Sequence, residues 1–420
     1  MIETVETQCC VVGGGPAGIV AGYLFARAGV KTLVLEKHGD FLRDFRGDTV
    51  HPSTIEVMRE LGLAERLLQR PHQRYDKLSG DFGGEIVRVA DFSALPVKYK
   101  FIAFMPKWDL LDFLSEEAKQ LPAFSLYMNC EGQELIEENG RVVGVKAVRE
   151  GKEIHIRAAL TIGADGRHSK IRSESGFAVK NIGAPIDVLW FRMRRDQAPH
   201  EDMLLHAGID HFIVTIDRGD YWQCAYVIAK DGIEKIRDAG LDAFKASIGK
   251  TVPSLKPHLD DIGSWDDVKL LTVAIDRLEE WSRPGLLFIG DSAHAMSPIG
   301  GVGINLAVQD AVAAANLLSG KLREGKLSGA DLDQVRQRRL FPTRATQFVQ
   351  VQAQNFILAP IVQGRVRRIR PPLILRIVSR IPYMQRKVAS LVGLGVRPEH
   401  VRSPDATAGT ETGTGSGRSI

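Results

Sequence analysis

Cysteine, net charge and long apolar runs are all scarce in this chain of 420 residues. The four cysteines, Cys9, Cys10, Cys130 and Cys224, form no CxxC pair and show no metal-ligand spacing. That argues against a dithiol relay and against a metal centre. Cys9 and Cys10 are neighbours in a segment that reads as a buried strand, so small buried hydrophobes is their expected role. A formal charge of +4 is too small to argue for nucleic acid as a partner. No stretch approaches the roughly eighteen apolar residues of a membrane span. A strand begins within the first ten residues, which leaves no room for a signal peptide, so the expected location is the reducing cytosol. Neither an internal repeat nor a second complete GxGxxG unit is present.

The length exceeds what one hydrophobic core organises, and two interleaved domains with appendages are expected. Residues 8–13 read as a strand, 16–28 as an Ala-rich helix stopped by Gly29, and 31–35 as a second strand, which makes a βαβ opening. A helix is expected over 53–68 and another over 108–120. Alternating segments at 85–92, 97–104, 186–194, 203–208, 211–217 and 221–228 resemble a mostly antiparallel sheet. Residues 141–149 and 153–162 make a hairpin-like pair, 286–290 a buried strand, and 303–319 a long Ala-rich helix. The fold class is therefore α/β, a Rossmann-like domain interleaved with a sheet-rich substrate domain and followed by C-terminal helices. Its expected pieces are 1–75, 105–180 and 275–335 for the dinucleotide domain, with 76–104 and 181–274 for the second. A helical segment fills 336–400, with helix expected from Pro342 and breaks at Pro360, Pro371-Pro372 and Pro382. The Thr-, Gly- and Ser-rich residues 401–420 should be disordered.

Gly13-Gly14-Gly15-Pro16-Ala17-Gly18 is a GxGxxG between a strand and a helix. Gly13 allows the tight turn, Gly15 lets backbone approach a pyrophosphate, and Gly18 lets helix and strand pack closely. Phosphates would sit over the amino end of the helix, where free N–H groups and the dipole favour negative charge. Glu36 closes the second strand about twenty residues on, where an acid accepts the ribose hydroxyls. Ala17 within the turn and Lys37 after Glu36 join the cofactor-binding candidates. An acid at that point fits FAD or NAD and does not fit NADP in this pocket.

Two further segments separate FAD from NAD. Gly163-Ala164-Asp165-Gly166-Arg167 and Leu287-Phe288-Ile289-Gly290-Asp291 occur in the order and spacing of two more flavin fingerprints. With them, residues 8–320 resemble the class A flavoprotein monooxygenases of the para-hydroxybenzoate hydroxylase type. The resemblance implies that Asp165 lies near the pyrophosphate and that Gly290 and Asp291 meet the ribityl chain. The loop carrying Pro298, Gly301, Gly303, Ile304 and Asn305 would lie against the isoalloxazine, although Val302 stands where relatives commonly have Gln. Arg46 resembles an Arg that approaches the flavin. Lys107 stands where relatives usually have Arg or Gln, and a Lys lacks the fork of Arg.

The same resemblance implies a reaction. NADPH or NADH binds transiently and reduces FAD, oxygen adds at C(4a), and the flavin hydroperoxide hydroxylates an aromatic or polyketide-like small molecule. A reductase or dehydrogenase of a prenyl-type chain shares these fingerprints, and a flavin-binding assembly subunit without turnover is a third reading. Trp190, Arg192, Phe212, Trp222 and Tyr226 are candidates for the substrate wall, weighed against an ordinary role in the sheet's own core. His51, His206 and His211 are available to deprotonate a phenol, but nothing in the sequence positions them, and no base is assigned.

One absence remains. Between Gln334 and Pro398 there is no Asp or Glu, while thirteen Lys and Arg fall there, Arg367 among them. Either this is a helical cap pairing with acids elsewhere, or it makes peripheral contact with an anionic membrane.

Overall fold

The structure is a computed structural model that describes residues 2–42, 49–196, 203–366 and 368–406. Its largest sheet has eight strands. Five of them run parallel, in the order Leu286–Phe288, Lys152–Gly163, Glu3–Val12, Thr32–Leu35, Phe124–Tyr127. Ser282–Arg283 adds an antiparallel edge, and Cys130–Glu138 and Arg141–Arg149 form a meander onto Lys152–Gly163. The central parallel strands are apolar on both faces because helices cover both. The helix Pro16–Arg27 packs against Lys107–Lys119 and Gly303–Arg323. Contrary to the expectation that no stretch approaches a membrane span, Ile299–Arg323 is long and apolar enough to cross one by length and composition, yet most of it is buried in this core. All four cysteines are free and buried. Burial pushes the Cys130 thiol up to about 11, and the others up as well.

The second sheet has seven strands, in the order Lys269–Leu271, Ile186–Arg194, Tyr221–Ala229, Phe212–Asp217, Met203–Ala207, Lys77–Phe82, Glu85–Asp91. All its pairings are antiparallel except that of Met203–Ala207 with Lys77–Phe82. Residues 97–104 do not join it. Only Ile102–Phe104 is a strand, and it pairs with Thr49–Val50 and Gln73–Tyr75 in a small sheet of its own. Pro96 lacks the N–H that a ladder there would need.

Other boundaries move for local reasons. The helix expected over 53–68 is two, Pro52–Glu60 and Ala64–Leu67, broken at Gly62 with φ of 74°. The C-terminal helix starts not at Pro342 but at Gly329, because Ser328 and Asp331 cap it reciprocally. It runs to Ala353 with Pro342 buried inside it, so residue 335 falls within one helix. The disorder expected from residue 401 does not begin there. Val401 N donates to Glu60 at 2.7 Å, Arg402 N to Asn316 at 2.7 Å, and Ala406 N to Arg27 O at 2.8 Å. Asp405 pairs with Arg27 at 2.7 Å. These bonds strap residues 401–406 onto three helices, Pro16–Arg27, Pro52–Glu60 and Gly303–Arg323. The rest of the expected tail, 407–420, lies outside the described residues.

Candidate flavin site

The parallel register gathers three turns at one sheet edge. Val12 pairs with both Leu35 and Gly163, and Gly163 pairs with Phe288. The residues that follow, Gly13, Ala164-Asp165 and Ile289-Gly290, therefore leave the sheet side by side at its carboxyl edge, where open α/β sheets bind ligands. Gly13 has φ of 110°, and a Cβ there would stand 2.4 Å from the Ala164 carbonyl oxygen. At Gly18 a Cβ would meet Gly13 O at 1.8 Å, so helix and turn touch through backbone alone. Gly290, with φ of 62°, leaves room for the Ala17 methyl, which joins the first turn to the third. Gly15 is different: a Cβ on it meets nothing within 4 Å. Glu36 is buried, and its carboxylate accepts from Gly14 N at 3.1 Å and His38 N at 3.0 Å. Lys37 next to it is exposed.

Asp165 is held by Ser169 Oγ and by Ile171 N at 3.3 Å, at the start of the helix Lys170–Ser175. Burial raises its pKa, against those hydrogen bonds. Asp291 accepts from Arg167 Nε at 3.0 Å, and Arg167 Nη1 is buried without a partner among the described residues. Beyond Asp291 the loop Pro298–Gly303 is drawn against Thr49, whose hydroxyl donates to Gly301 O at 2.9 Å. Asn305 Oδ1 accepts from the Thr54 hydroxyl at 2.6 Å, and Ile304 is buried beside it. A Cβ on Gly303, the first residue of its helix, meets nothing within 4 Å. Lys107 opens the helix Lys107–Lys119, half-buried. Arg46 lies outside the described residues.

Two buried supports under this loop were not foreseen. Asp310 accepts from Gly290 N at 3.1 Å, contacts His294 Nε2 at 2.6 Å and Arg339 Nε at 2.9 Å, and all three side chains are buried. Burial alone would raise the Asp310 pKa, but His294 and Arg339 outweigh it and hold the carboxyl below its ordinary value. The second support is a row of glutamines on the 329–353 helix and its π-helical continuation Gln354–Leu358. Gln347 donates to Asp276 O and Ala295 O, and Gln354 to Ser297 Oγ. Gln350 donates to Ser297 O at 3.0 Å and Ile299 O at 2.8 Å and accepts from Ser297 N at 3.2 Å. The spacing 347, 350, 354 is one helix face and was legible as such.

The substrate candidates divide between the two faces of the seven-stranded sheet. Trp190 and Phe212 belong to a core that takes in Ile299 of the glycine-rich loop. Arg192 shares their face by alternation, exposed and stacked on Tyr221 at 4.4 Å. Trp222 and Tyr226 point the other way, into a core with Phe244 of the helix Leu241–Thr251. Strand alternation puts them there, so the structure does not bring them to the flavin side. His206 bonds Thr215 and His211 stacks on Tyr226 at 4.3 Å, both on that far face. His51 is buried beside the glycine-rich loop, its Nδ1–H donating to Val392 O at 2.9 Å. Burial lowers its pKa to about 4, against the pull of the Val392, Gly301 and Gly300 carbonyls.

Residues 6–349 match the protein family described as FAD binding domain. The chain is 33% identical over 403 residues to 6-methylpretetramide 4-monooxygenase of Streptomyces rimosus, covering 96% of this chain and 95% of that one. It is also 24% identical to protoasukamycin 4-monooxygenase of Streptomyces nodosus subsp. asukaensis, over 86% of this chain and 92% of the other. This chain belongs to the FAD-binding monooxygenase family. In fold it resembles the solved anhydrotetracycline hydroxylase OxyS of Streptomyces rimosus, with a TM-score of 0.72 and 21% identity over 94% of this chain and 77% of that one.

As an FAD-dependent monooxygenase, the chain offers a cradle that fits the cofactor. The open spaces above Gly15 and Gly303 sit at the amino ends of two helices, 16–27 and 303–323, each favouring negative charge in front of it. Buried Glu36 would accept from the ribose of a bound FAD, and the Asp291 carboxylate is half-exposed at the third turn. The orphaned Arg167 Nη1 is a buried donor beside it.

Proposed function

We propose that this FAD-dependent monooxygenase hydroxylates a polycyclic, polyketide-like aromatic, with NADPH or NADH as transient co-substrate. Per turnover, one nicotinamide hydride, one proton and one O2 convert Ar–H to Ar–OH and water. Hydride uptake and oxygen activation are what bound FAD supplies; the protein sets access, orientation and charge. The similarity across nearly the whole length to a monooxygenase named for 6-methylpretetramide carries this reading.

The chain's own residues support it. The sheet face carrying Val188, Trp190, Phe212 and Val227 is apolar and buried in a core that also takes in Ile299 of the glycine-rich loop, which excludes water from that side of the loop. Trp190 Nε1 and Gln223 Nε2 are buried donors without partners among the described residues. By alternation both lie on that same face, Trp190 opposite Ala225 and Gln223 opposite Arg192. Donors so placed suit the carbonyl and phenolic oxygens of a polyketide ring. The amino end of the 303–323 helix favours negative charge on a reduced ring in front of it. His51, neutral and engaged with Val392, is a structural residue of the loop rather than a proton carrier.

The purified holoenzyme should be supplied with polycyclic phenols, NADPH or NADH, and 18O2. The expected result is product carrying one 18O atom with stoichiometric nicotinamide oxidation. Nicotinamide oxidation that reduces an alkene without incorporating oxygen would replace this reading with the reductase one.

A further inference from the structure

The acid-free segment behaves as two halves. In its first part three of the four cations are paired, Arg336 with Asp333, Arg338 with Glu399 and Arg339 with Asp310. There it is a cap on the flavin domain. Beyond residue 364 only Arg376 finds an acid among the described residues, Glu85 at 3.1 Å, while Arg368, Arg370, Arg380 and Arg386 make no ion pair.

The helices Leu373–Arg380 and Pro382–Gly393 pack on the edge strand Glu85–Asp91. Val378 is the residue of the first helix that points inward. At 100° per residue, Leu373, Ile374, Ile377 and Arg380 fall on one arc of about 120°, which starts about 40° from Val378 and runs away from it. That arc is exposed: Leu373 is 71% accessible and Ile374 49%. Ile381 and Tyr383 continue it across the turn, Tyr383 at 64%, with the Lys387 ammonium 5.3 Å from the Tyr383 ring centre. The outward surface is thus aliphatic along its crest and arginine, lysine and tyrosine along its flanks.

We propose that this helical pair is a docking surface for an anionic lipid bilayer. Aliphatic crest, tyrosine and flanking cations are the layers that an interfacial helix presents across the acyl–headgroup boundary. Charge segregation supplies the orientation. The segment 334–398 carries thirteen cations and no acid, while the whole chain is only +4, so the remainder is net acidic. An anionic surface attracts this face and repels the others. The consequence is a monooxygenase positioned to receive a hydrophobic ring system from the bilayer.

The test is flotation of the FAD-loaded enzyme with vesicles of phosphatidylcholine alone or with about one-third phosphatidylglycerol, at low and high salt. Binding is expected to the anionic vesicles at low salt, falling with salt and absent from the neutral ones. Arg380→Glu with Arg386→Glu should weaken it roughly twentyfold or more, and Ile374→Glu with Ile377→Glu should abolish it. Flavin absorbance and melting temperature of each variant serve as the folding control. No flotation of the wild type at low salt overturns the proposal. So does a sedimentation experiment in which the same variants convert a dimer to monomers, because a second copy then covers the face. Neither result bears on oxygen incorporation, so failure here is distinct from failure of the hydroxylase reading.

Discussion

At Gly13 and Gly15 the same added methyl group reports on different things. Gly13→Ala forces a Cβ to 2.4 Å from Ala164 O at a φ of 110°. It should destabilise the apoprotein by about 3 kcal/mol or more, read from urea midpoints. Gly15→Ala meets only open space, so apoprotein stability should change by less than about 0.5 kcal/mol, while FAD titration shows affinity down about tenfold. His51 gives a pH signature. Its folded pKa of about 4 lies below the ordinary 6.5, so between those values the unfolded chain binds a proton that the folded one refuses. Stability from this group is complete above the unfolded value and declines as pH falls toward 4, by about 3 kcal/mol in all. His51→Asn, whose amide can still donate to Val392 O, should flatten that limb in urea melts at pH 4.5 and 7. Gly13 was readable in the sequence because a φ-positive turn has few alternatives, and Gly15 because the motif fixes its place before the helix. His51 was not, because burial comes from Val392, 341 residues away.

The 329–353 helix acts on the flavin loop as a row of side-chain clamps. Gln350→Leu removes three hydrogen bonds to Ser297 and Ile299 and leaves buried backbone groups without partners. A loss of about 2–4 kcal/mol is expected, with faster amide exchange at 295–301 and weaker FAD binding. If exchange speeds up uniformly across the molecule, the helix is not a local clamp. Element by element, the βαβ opening and the central strands were legible because their periodicity is local. Residues 97–104 misled because alternation alone does not say which sheet a strand joins, and Pro96 argued against a long one. Trp222 and Tyr226 misled for the converse reason: alternation separates them from Trp190 without saying which face meets the cofactor. The Ser328–Asp331 cap is visible in the sequence as a spacing, but Pro342 is the more conspicuous helix signal.

Over the whole molecule, the chain's end is fastened to its beginning. Truncation after Glu399 keeps its pairs with Arg338 and Arg339 and removes the strap onto Glu60, Asn316 and Arg27. The melting temperature should fall by about 5–10 °C by scanning calorimetry, reflecting a few kcal/mol in a large domain. The increment in melting temperature on adding FAD should persist, because the strap touches none of Gly13, Asp165 or Asp291. The sheet order has a consequence for biosynthesis as well. Glu3–Val12, the first strand made, lies between Thr32–Leu35 and Lys152–Gly163, and the third flavin turn follows only at Gly290. A nascent chain emerging from the ribosome at roughly 5–20 residues per second therefore waits tens of seconds before its three turns can meet. Until residue 163 is made the earliest strand has no partner on one edge, and until Gly290 is made the vitamin-derived cofactor has no complete place to bind. Riboflavin supply should accordingly govern how much of the finished protein survives, and not how fast its first half folds.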